Sequence, residues 1–210
     1  VRLGTRATAP HSGTQLMKIG TQNVLIGNAA GEDLTGTTGV YIGTNAGVQA
    51  TSAEKNVVIG DNANSLGVTT GDNNVVIGFE AGDDLTGGWS NMCIGKEAGR
   101  NITDGTRNIC LGADTGATIT TASENVFIGN VAGAATTSGG NVAIGSQCLE
   151  QGNFSAGNVG VGWSTGEDCT GTRNTLVGAE AARQMTSSDD CTAIGHNAMG
   201  EGTATGNLNV

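Results

Sequence analysis

The residues that could perform acid–base or nucleophilic chemistry are few in this 210-residue chain, and they do not form a recognisable set. The two histidines, His11 and His196, stand isolated. No nucleophile recurs beside a base and an orienting acid, which is the arrangement that covalent catalysis requires. Gly-rich runs such as 133–136 match no phosphate-binding loop. The sequence therefore predicts no catalytic residue, no cofactor and no enzymatic activity.

Pairs of neighbouring carboxylates recur in the same loop of three repeats, at 32–33, 83–84 and 167–168. Carboxylate oxygens are ligands that calcium prefers. However, the three pairs lie in repeats that are not adjacent, and no Gly-Gly-x-Gly-x-Asp nonapeptide is present. We interpret them as solvated acidic loops and predict no metal site.

The chain has five cysteines, which is an odd number. Cys93 and Cys110 occupy the same position of two neighbouring repeats, whereas Cys148, Cys169 and Cys191 fall at three other positions. An odd count at scattered positions does not make a disulfide framework. We expect small buried side chains that behave as apolar residues.

Exposed aromatic rings are the remaining candidates for a binding site. Phe79, Trp89 and Trp163 are predicted at exposed positions, where a ring can stack on a sugar. Three scattered rings do not by themselves define a glycan site.

Composition narrows the class of partner. The net charge is −10 with only nine Lys and Arg, so nucleic acid and anionic lipid are disfavoured as partners. No apolar run is long enough to span a bilayer, and we expect no membrane insertion. The first residues contain neither an initiator Met nor a signal sequence, which suggests a piece of a longer chain.

An internal repeat positions all of these residues. A strand-like block that ends in Gly occurs eleven times along the chain, at nearly regular intervals. The block glycines, numbered here as position 0, are Gly27, Gly43, Gly60, Gly78, Gly95, Gly112, Gly129, Gly145, Gly162, Gly178 and Gly195. Positions −3 and −1 are mostly aliphatic, position +3 is always small, and position +8 is usually Thr. Position −4 is Asn at Asn23, Asn56, Asn74, Asn91, Asn108, Asn125, Asn141, Asn158 and Asn174.

This pattern predicts an all-β fold, a parallel β-solenoid of about eleven coils with a period of about 17 residues. Side chains alternate faces along a strand, so −3 and −1 point one way and −4 and −2 the other. Equivalent positions should stack at about 4.8 Å, which gives a rod of roughly 50 Å and a continuous Asn row. The apolar side chain at +7, such as Leu34 or Leu85, is expected to start a second strand that closes the coil.

The residues at position −2 indicate that a second chain is needed to cover one face of each strand. They are almost entirely apolar, although they lie opposite to −3 and −1, which we place in the coil interior. A strand that is apolar on both faces must be covered on both. We therefore predict a subunit interface at Leu25, Tyr41, Val58, Val76, Phe127 and Leu176. The alternative is a wider coil whose loop folds back over this face.

The blocks N-V-V-I-G at 56–60 and 74–78 and N-V-A-I-G at 141–145 resemble the head repeats of YadA-like trimeric autotransporter adhesins. They are equally similar to the N-x-A-I-G repeats of bacteriophage tail fibres. The resemblance covers about residues 21–210. It implies a left-handed parallel β-roll, a homotrimer with three chains side by side, and attachment to a surface.

Two departures from the adhesin pattern favour the viral fibre. The repeat period is longer than the adhesin coil, so a loop should protrude from each turn. Five cysteines are unusual in a chain exported through the bacterial envelope, whereas a fibre assembled in a reducing cytoplasm tolerates free thiols. We therefore expect a structural and attachment module of a virion tail fibre, with a host-cell receptor or glycan as its partner.

Three other functions stay open. The chain can belong to a trimeric autotransporter-type adhesin on the bacterial surface, or to a self-assembling extracellular filament. The Thr column at +8 also permits an ice-binding β-solenoid, although only one Thr row exists.

The ends of the chain differ from its middle. Residues 1–20 imitate the end of the strand block twice but lose the register, and we predict a degenerate N-terminal cap or junction there. The repeat domain spans 21–210. Because Asn209 and Val210 start a further block, the repeat domain is expected to continue beyond them.

Overall fold

The fold is built from short parallel strands, one per repeat. The structure is a computed structural model that describes residues 1–3, 20–151, 154–185 and 188–200. The strands are β1 (Arg2–Leu3), β2 (Val24–Ile26), β3 (Val40–Ile42), β4 (Val57–Ile59), β5 (Val75–Ile77), β6 (Met92–Ile94), β7 (Ile109–Leu111), β8 (Val126–Ile128), β9 (Val142–Ile144), β10 (Val159–Val161), β11 (Thr175–Val177) and β12 (Thr192–Ile194). Within the described ranges there is no helix, and hence none long and apolar enough to cross a membrane.

All twelve strands form one parallel sheet in chain order. Each strand from β2 to β12 covers positions −3 to −1 of its repeat, and the pairing is in register throughout. For example, Val75, Val76 and Ile77 lie beside Met92, Cys93 and Ile94. Each residue therefore stacks on the residue at the same position of the next coil, which confirms the parallel β-solenoid.

The invariant glycine at position 0 is required by the stacking itself. Gly78 has φ of 140°, and a Cβ added there would lie 2.3 Å from the carbonyl oxygen of Gly95 in the next coil. The same close approach recurs along the row, for example between Gly95 and Gly112. Any side chain at this position would push two coils apart, so only Gly fits.

Turns rather than a second strand close each coil. Left-handed residues recur at −5, +2 and +4, for example Asn73 (φ 60°), Glu80 (φ 52°) and Gly82 (φ 51°). The expectation of a strand that starts at +7 is wrong for the described residues, which contain one strand per coil. So many reversals leave no extended segment long enough for another strand. Backbone bonds still join the turns of successive coils, as from Gly82 N–H to the Ala98 carbonyl at 3.0 Å.

A single chain buries the −2 side chains, so the prediction that they lie at subunit contacts is wrong. Leu25 is 3 % exposed, and Tyr41, Val58, Val76, Phe127 and Leu176 are 0 % exposed. Alternation along the strand correctly predicts two faces. However, the face with −3 and −1, which was expected inside the coil, lies outside, and the face with −4 and −2 lies inside. The −4 asparagines bond to the backbone inside the coil, and −2 shares their face. The core is formed by the side chains at −2, at +3 and at +7 together.

Side-chain volumes at −2 and +4 compensate each other across this narrow core. Gly47 lies opposite Tyr41, and a Cβ on Gly47 would stand 2.4 Å from the Tyr41 ring. Gly133 faces Phe127 in the same way, with the ring at 2.7 Å. Where −2 is Gly160, the space is filled by Cys148 and Leu149, which stand at +3 and +4 in the preceding coil. A narrow cross-section is thus filled by unequal side chains.

The predicted N-terminal cap is described only at its first residues. β1 pairs with β2 in parallel, with Arg2 beside Leu25 and Leu3 beside Ile26. The block at 1–3 therefore stacks on the first full repeat. The rest of the predicted cap, at 4–19, and the predicted continuation at 201–210 lie outside the described residues.

Candidate interaction surfaces

The asparagine row runs inside the coil. The Asn91 backbone N–H donates to Asn74 Oδ1 at 2.9 Å, and Asn74 Nδ2 donates to the Gly88 carbonyl at 2.9 Å. Equivalent Asn-to-Asn bonds of 2.7 to 3.1 Å continue from Asn56 to Asn174. Gly39 replaces Asn in the repeat between those of Asn23 and Asn56. There Asn23 Oδ1 accepts a hydrogen bond from the Gly39 N–H. The expected row is present, and its role is to satisfy buried backbone groups.

The five cysteines are free and buried. Cys93 and Cys110 are register partners, and the hydrogen bond between their thiols, together with burial, raises the pKa of Cys110 well above its usual value. Burial raises the pKa of Cys148 and of Cys169 to about 12. A thiol that stays protonated is a poor nucleophile. These side chains act as small core residues, as expected from the sequence.

The acidic loops are only partly solvated. Asp83 is 3 % exposed, and its Oδ1 accepts hydrogen bonds from the Ser65 N–H at 3.0 Å and the Ser65 hydroxyl at 2.7 Å. Glu167 lies 2.9 Å from the Arg183 guanidinium. The interpretation as solvated carboxylates is therefore wrong for the first member of these two pairs, which link neighbouring coils. Within the described part of the chain, no three His, Cys, Asp or Glu side chains are placed to hold a metal ion.

The exposed aromatic rings are not brought together. Phe79 and Trp163, both at +1, are 46 % and 50 % exposed but lie five coils apart. Trp89 is 43 % exposed at another corner, where the Arg107 guanidinium lies 4.9 Å from its ring centroid. His196 is exposed in the +1 column, and His11 lies outside the described residues.

The Thr column at +8 is bound into the stacking. Thr35 Oγ1 donates to the Thr51 carbonyl at 3.0 Å, and Thr103 Oγ1 donates to the Thr120 carbonyl at 3.3 Å. These hydroxyls point along the rod to the next coil. A water-ordering face needs its hydroxyls directed at solvent, so the geometry does not favour ice binding.

The largest unexplained surface is the outer face of the sheet. We call the −3 and −1 side chains of β2–β12 the outer strip. All are apolar except Thr175 and Thr192. Most are half-buried by their own neighbours in the stack, while Met92 and Ile144 are each 37 % exposed and Ile194 is 68 % exposed. Sequence reasoning missed this surface because it placed these columns inside, although their apolar character was plain.

Fold and surfaces together define the class of this chain: it is a parallel β-solenoid repeat protein. No family model, no curated protein and no solved structure matches it.

Proposed function

We propose that this chain is a structural and attachment module of a tail fibre, and that three copies assemble side by side through their outer strips. The observation that carries the proposal is an apolar strip that runs along the outside of a coil whose interior is already filled. An interior column is explained by the fold of one chain. An exterior column of the same character is not explained by the fold of one chain, and a partner that covers it would account for it.

The size of the outer strip supports this assignment. Eleven strands at about 4.8 Å and two side chains across give a face of about 500 Å². The largest apolar patch of a soluble monomer is about 300–600 Å² and is often an interaction site. The strip is also continuous, because every strand pairs in register with the next one. A continuous apolar strip suits an identical neighbour that runs parallel to it.

The number of chains and the kind of fibre rest on the sequence resemblance. Three rods about one axis would enclose the three strips in a shared apolar centre and leave the turn corners exposed for attachment. The free buried thiols suit assembly in a reducing cytoplasm, which favours a viral fibre over an exported adhesin. A trimeric surface adhesin is the alternative that uses the same assembly.

Attachment can be tested with fluorescently labelled protein on a panel of intact bacterial strains. We expect the wild-type rod to bind cells of at least one strain and to be displaced by unlabelled rod. A chain made monomeric at the outer strip should bind the same strain at least tenfold more weakly, because avidity is lost. Binding to no strain, or equal binding by the monomeric chain, would contradict the proposal.

A further inference from the structure

One coil departs from the repeat. Gly60 and Gly78 are further apart in the chain than any other two successive block glycines, position +4 is Asn64 and position +7 is Gly67. Two polar side chains enter the interior beside the usual apolar ones: Asn64 is 1 % and Thr69 is 0 % exposed. Thr69 Oγ1 donates to Asn64 Oδ1 at 2.9 Å. This coil therefore lacks the apolar +7 side chain that both of its neighbours bury, although Val58 and Ala63 remain in the core.

Two further apolar side chains of this coil are on the outside. Leu66 is 58 % exposed and Val68 is 52 % exposed. Two aliphatic side chains thus stay in solvent, and the apolar +7 side chain that most other coils bury is missing here. Departures of this kind from a local rule are expected at functional sites.

A groove of about 470 Å³ opens beside Leu66. Its walls combine the aliphatic Leu66 and Val48 with the polar side chains of Asn45, Glu80 and Arg100. The residues come from four successive coils, so that the rigid stack fixes their spacing. Phe79, which precedes Glu80, is itself 46 % exposed.

The polar groups of the groove are held in place by one another. The Arg100 guanidinium lies 3.5 Å from the Glu80 carboxylate and 3.2 Å from the Glu97 carboxylate. Asn45 Nδ2 donates to Asn62 Oδ1 at 2.9 Å, which uses one group of each amide and leaves each side chain further hydrogen-bonding capacity. Such ordering before binding lowers the entropic cost of holding a ligand.

The chemistry of the walls matches a sugar ring. Amide, carboxylate and guanidinium groups donate to and accept from vicinal hydroxyls, while aliphatic side chains pack on the C–H face of a pyranose. The groove carries two carboxylates, of Glu80 and Asp83, against the one guanidinium of Arg100, and this excess of negative charge disfavours an acidic ligand. We propose that this groove binds a neutral pyranose unit of a host surface glycan. The proposal rests on the attachment function and names the ligand class.

The test uses the assembled protein with methyl-labelled Leu and Val. Methyl glucoside, methyl galactoside, methyl mannoside and N-acetylglucosamine are titrated singly to tens of millimolar, with glucuronate as the acidic comparison. We expect at least one neutral sugar to shift the Leu66 and Val48 methyl signals in a saturable way, with a dissociation constant on the order of 1 mM. Glucuronate should leave both signals unchanged.

A matched pair of variants locates the site. Leu66→Ser removes a wall of the groove, whereas Val68→Ser changes a side chain of similar exposure in the same coil that does not line it. Leu66→Ser should weaken sugar binding at least tenfold, and Val68→Ser should weaken it less than twofold. In both variants binding is measured from the Val48 methyl signals. Circular dichroism would establish that both variants are folded.

Three results would overturn the proposal: no shift with any neutral sugar, a tighter response to glucuronate, or equal loss in both variants. Its failure is distinguishable from failure of the attachment function. If Leu66→Ser binds cells as strongly as wild type, the groove is not the attachment site although attachment stands. If the wild-type rod binds no cells, attachment itself fails.

Discussion

At the residue scale, the −4 asparagine is the side chain that most directly fixes the fold. Asn108 is fully buried, its Nδ2 donates to the Ala122 carbonyl at 2.9 Å, and its Oδ1 accepts the Asn125 N–H at 3.1 Å. An alanine would leave the buried Asn125 N–H and the partly buried Ala122 carbonyl without these partners. The Asn108 side chain thus links the strand to the turn of its own coil and links one coil to the next.

We expect Asn108→Ala to destabilise the rod by about 2–4 kcal/mol, because each unpaired buried polar group costs about 1–3 kcal/mol. Asn101→Ala is the control, since Asn101 is exposed although it also donates to a carbonyl of the next coil, that of Ala117, at 2.6 Å. It should cost less than about 1 kcal/mol. Urea unfolding followed by circular dichroism compares the two. Equal losses would show that the buried row has no special role.

At the element scale, each coil is a unit that contacts chiefly its two neighbours. The strands pair only with the preceding and the following strand, and the turn bonds join the same successive coils. Damage to one coil should therefore spread outward from that coil. Position −2 is the most sensitive point, because it holds the side chain that each strand contributes to the narrow core.

Val76→Asp should loosen the rod around β5 before it loosens the ends. Val76 is 0 % exposed, and an unpaired charge there costs about 3–5 kcal/mol. Hydrogen exchange should show loss of protection in β4, β5 and β6 while β10 and β11 stay protected. Asp84→Ala, at a half-exposed loop position, should change protection by no more than about 0.5 kcal/mol. Uniform loss along the whole sheet would contradict nearest-neighbour stability.

Much of the coil was predictable from the sequence, and the errors have physical causes. The spacing of the glycines gives the stacking, and the recurrence of Asn gives the buried row. Alternation divides the strand into two faces, but both were apolar, so it could not decide which was inside. The pairing of −2 with +4 identifies the inner face, because a small residue at +4, such as Gly47, makes room for a large one at −2, such as Tyr41.

The irregular coil could not have been placed from its sequence. The extra length between Gly60 and Gly78 can be accommodated at several points. The structure places it so that Thr69, rather than Leu66 or Val68, enters the interior. That choice depends on the hydrogen bonds of Thr69 to Asn64 and to the Leu85 carbonyl, which no periodicity reveals.

At the scale of the whole molecule, the two faces of one strand have separate tasks. Val76 and its column stabilise the coil, while Val75 and Ile77 belong to the outer strip. If three strips meet about one axis, a charge at −3 appears three times in the same apolar centre. Adjacent residues of β5 should therefore give opposite phenotypes, one in folding and one in assembly.

Light scattering on Val75→Asp and Val76→Asp measures this separation most directly. Wild-type protein should have a mass of three times the 20.8 kDa of one chain. Val75→Asp should keep the wild-type circular dichroism spectrum but fall to the mass of a single chain, whereas Val76→Asp should lose structure around its own coil. A wild-type monomer, or a Val75→Asp protein that stays trimeric, would contradict assembly through the outer strip.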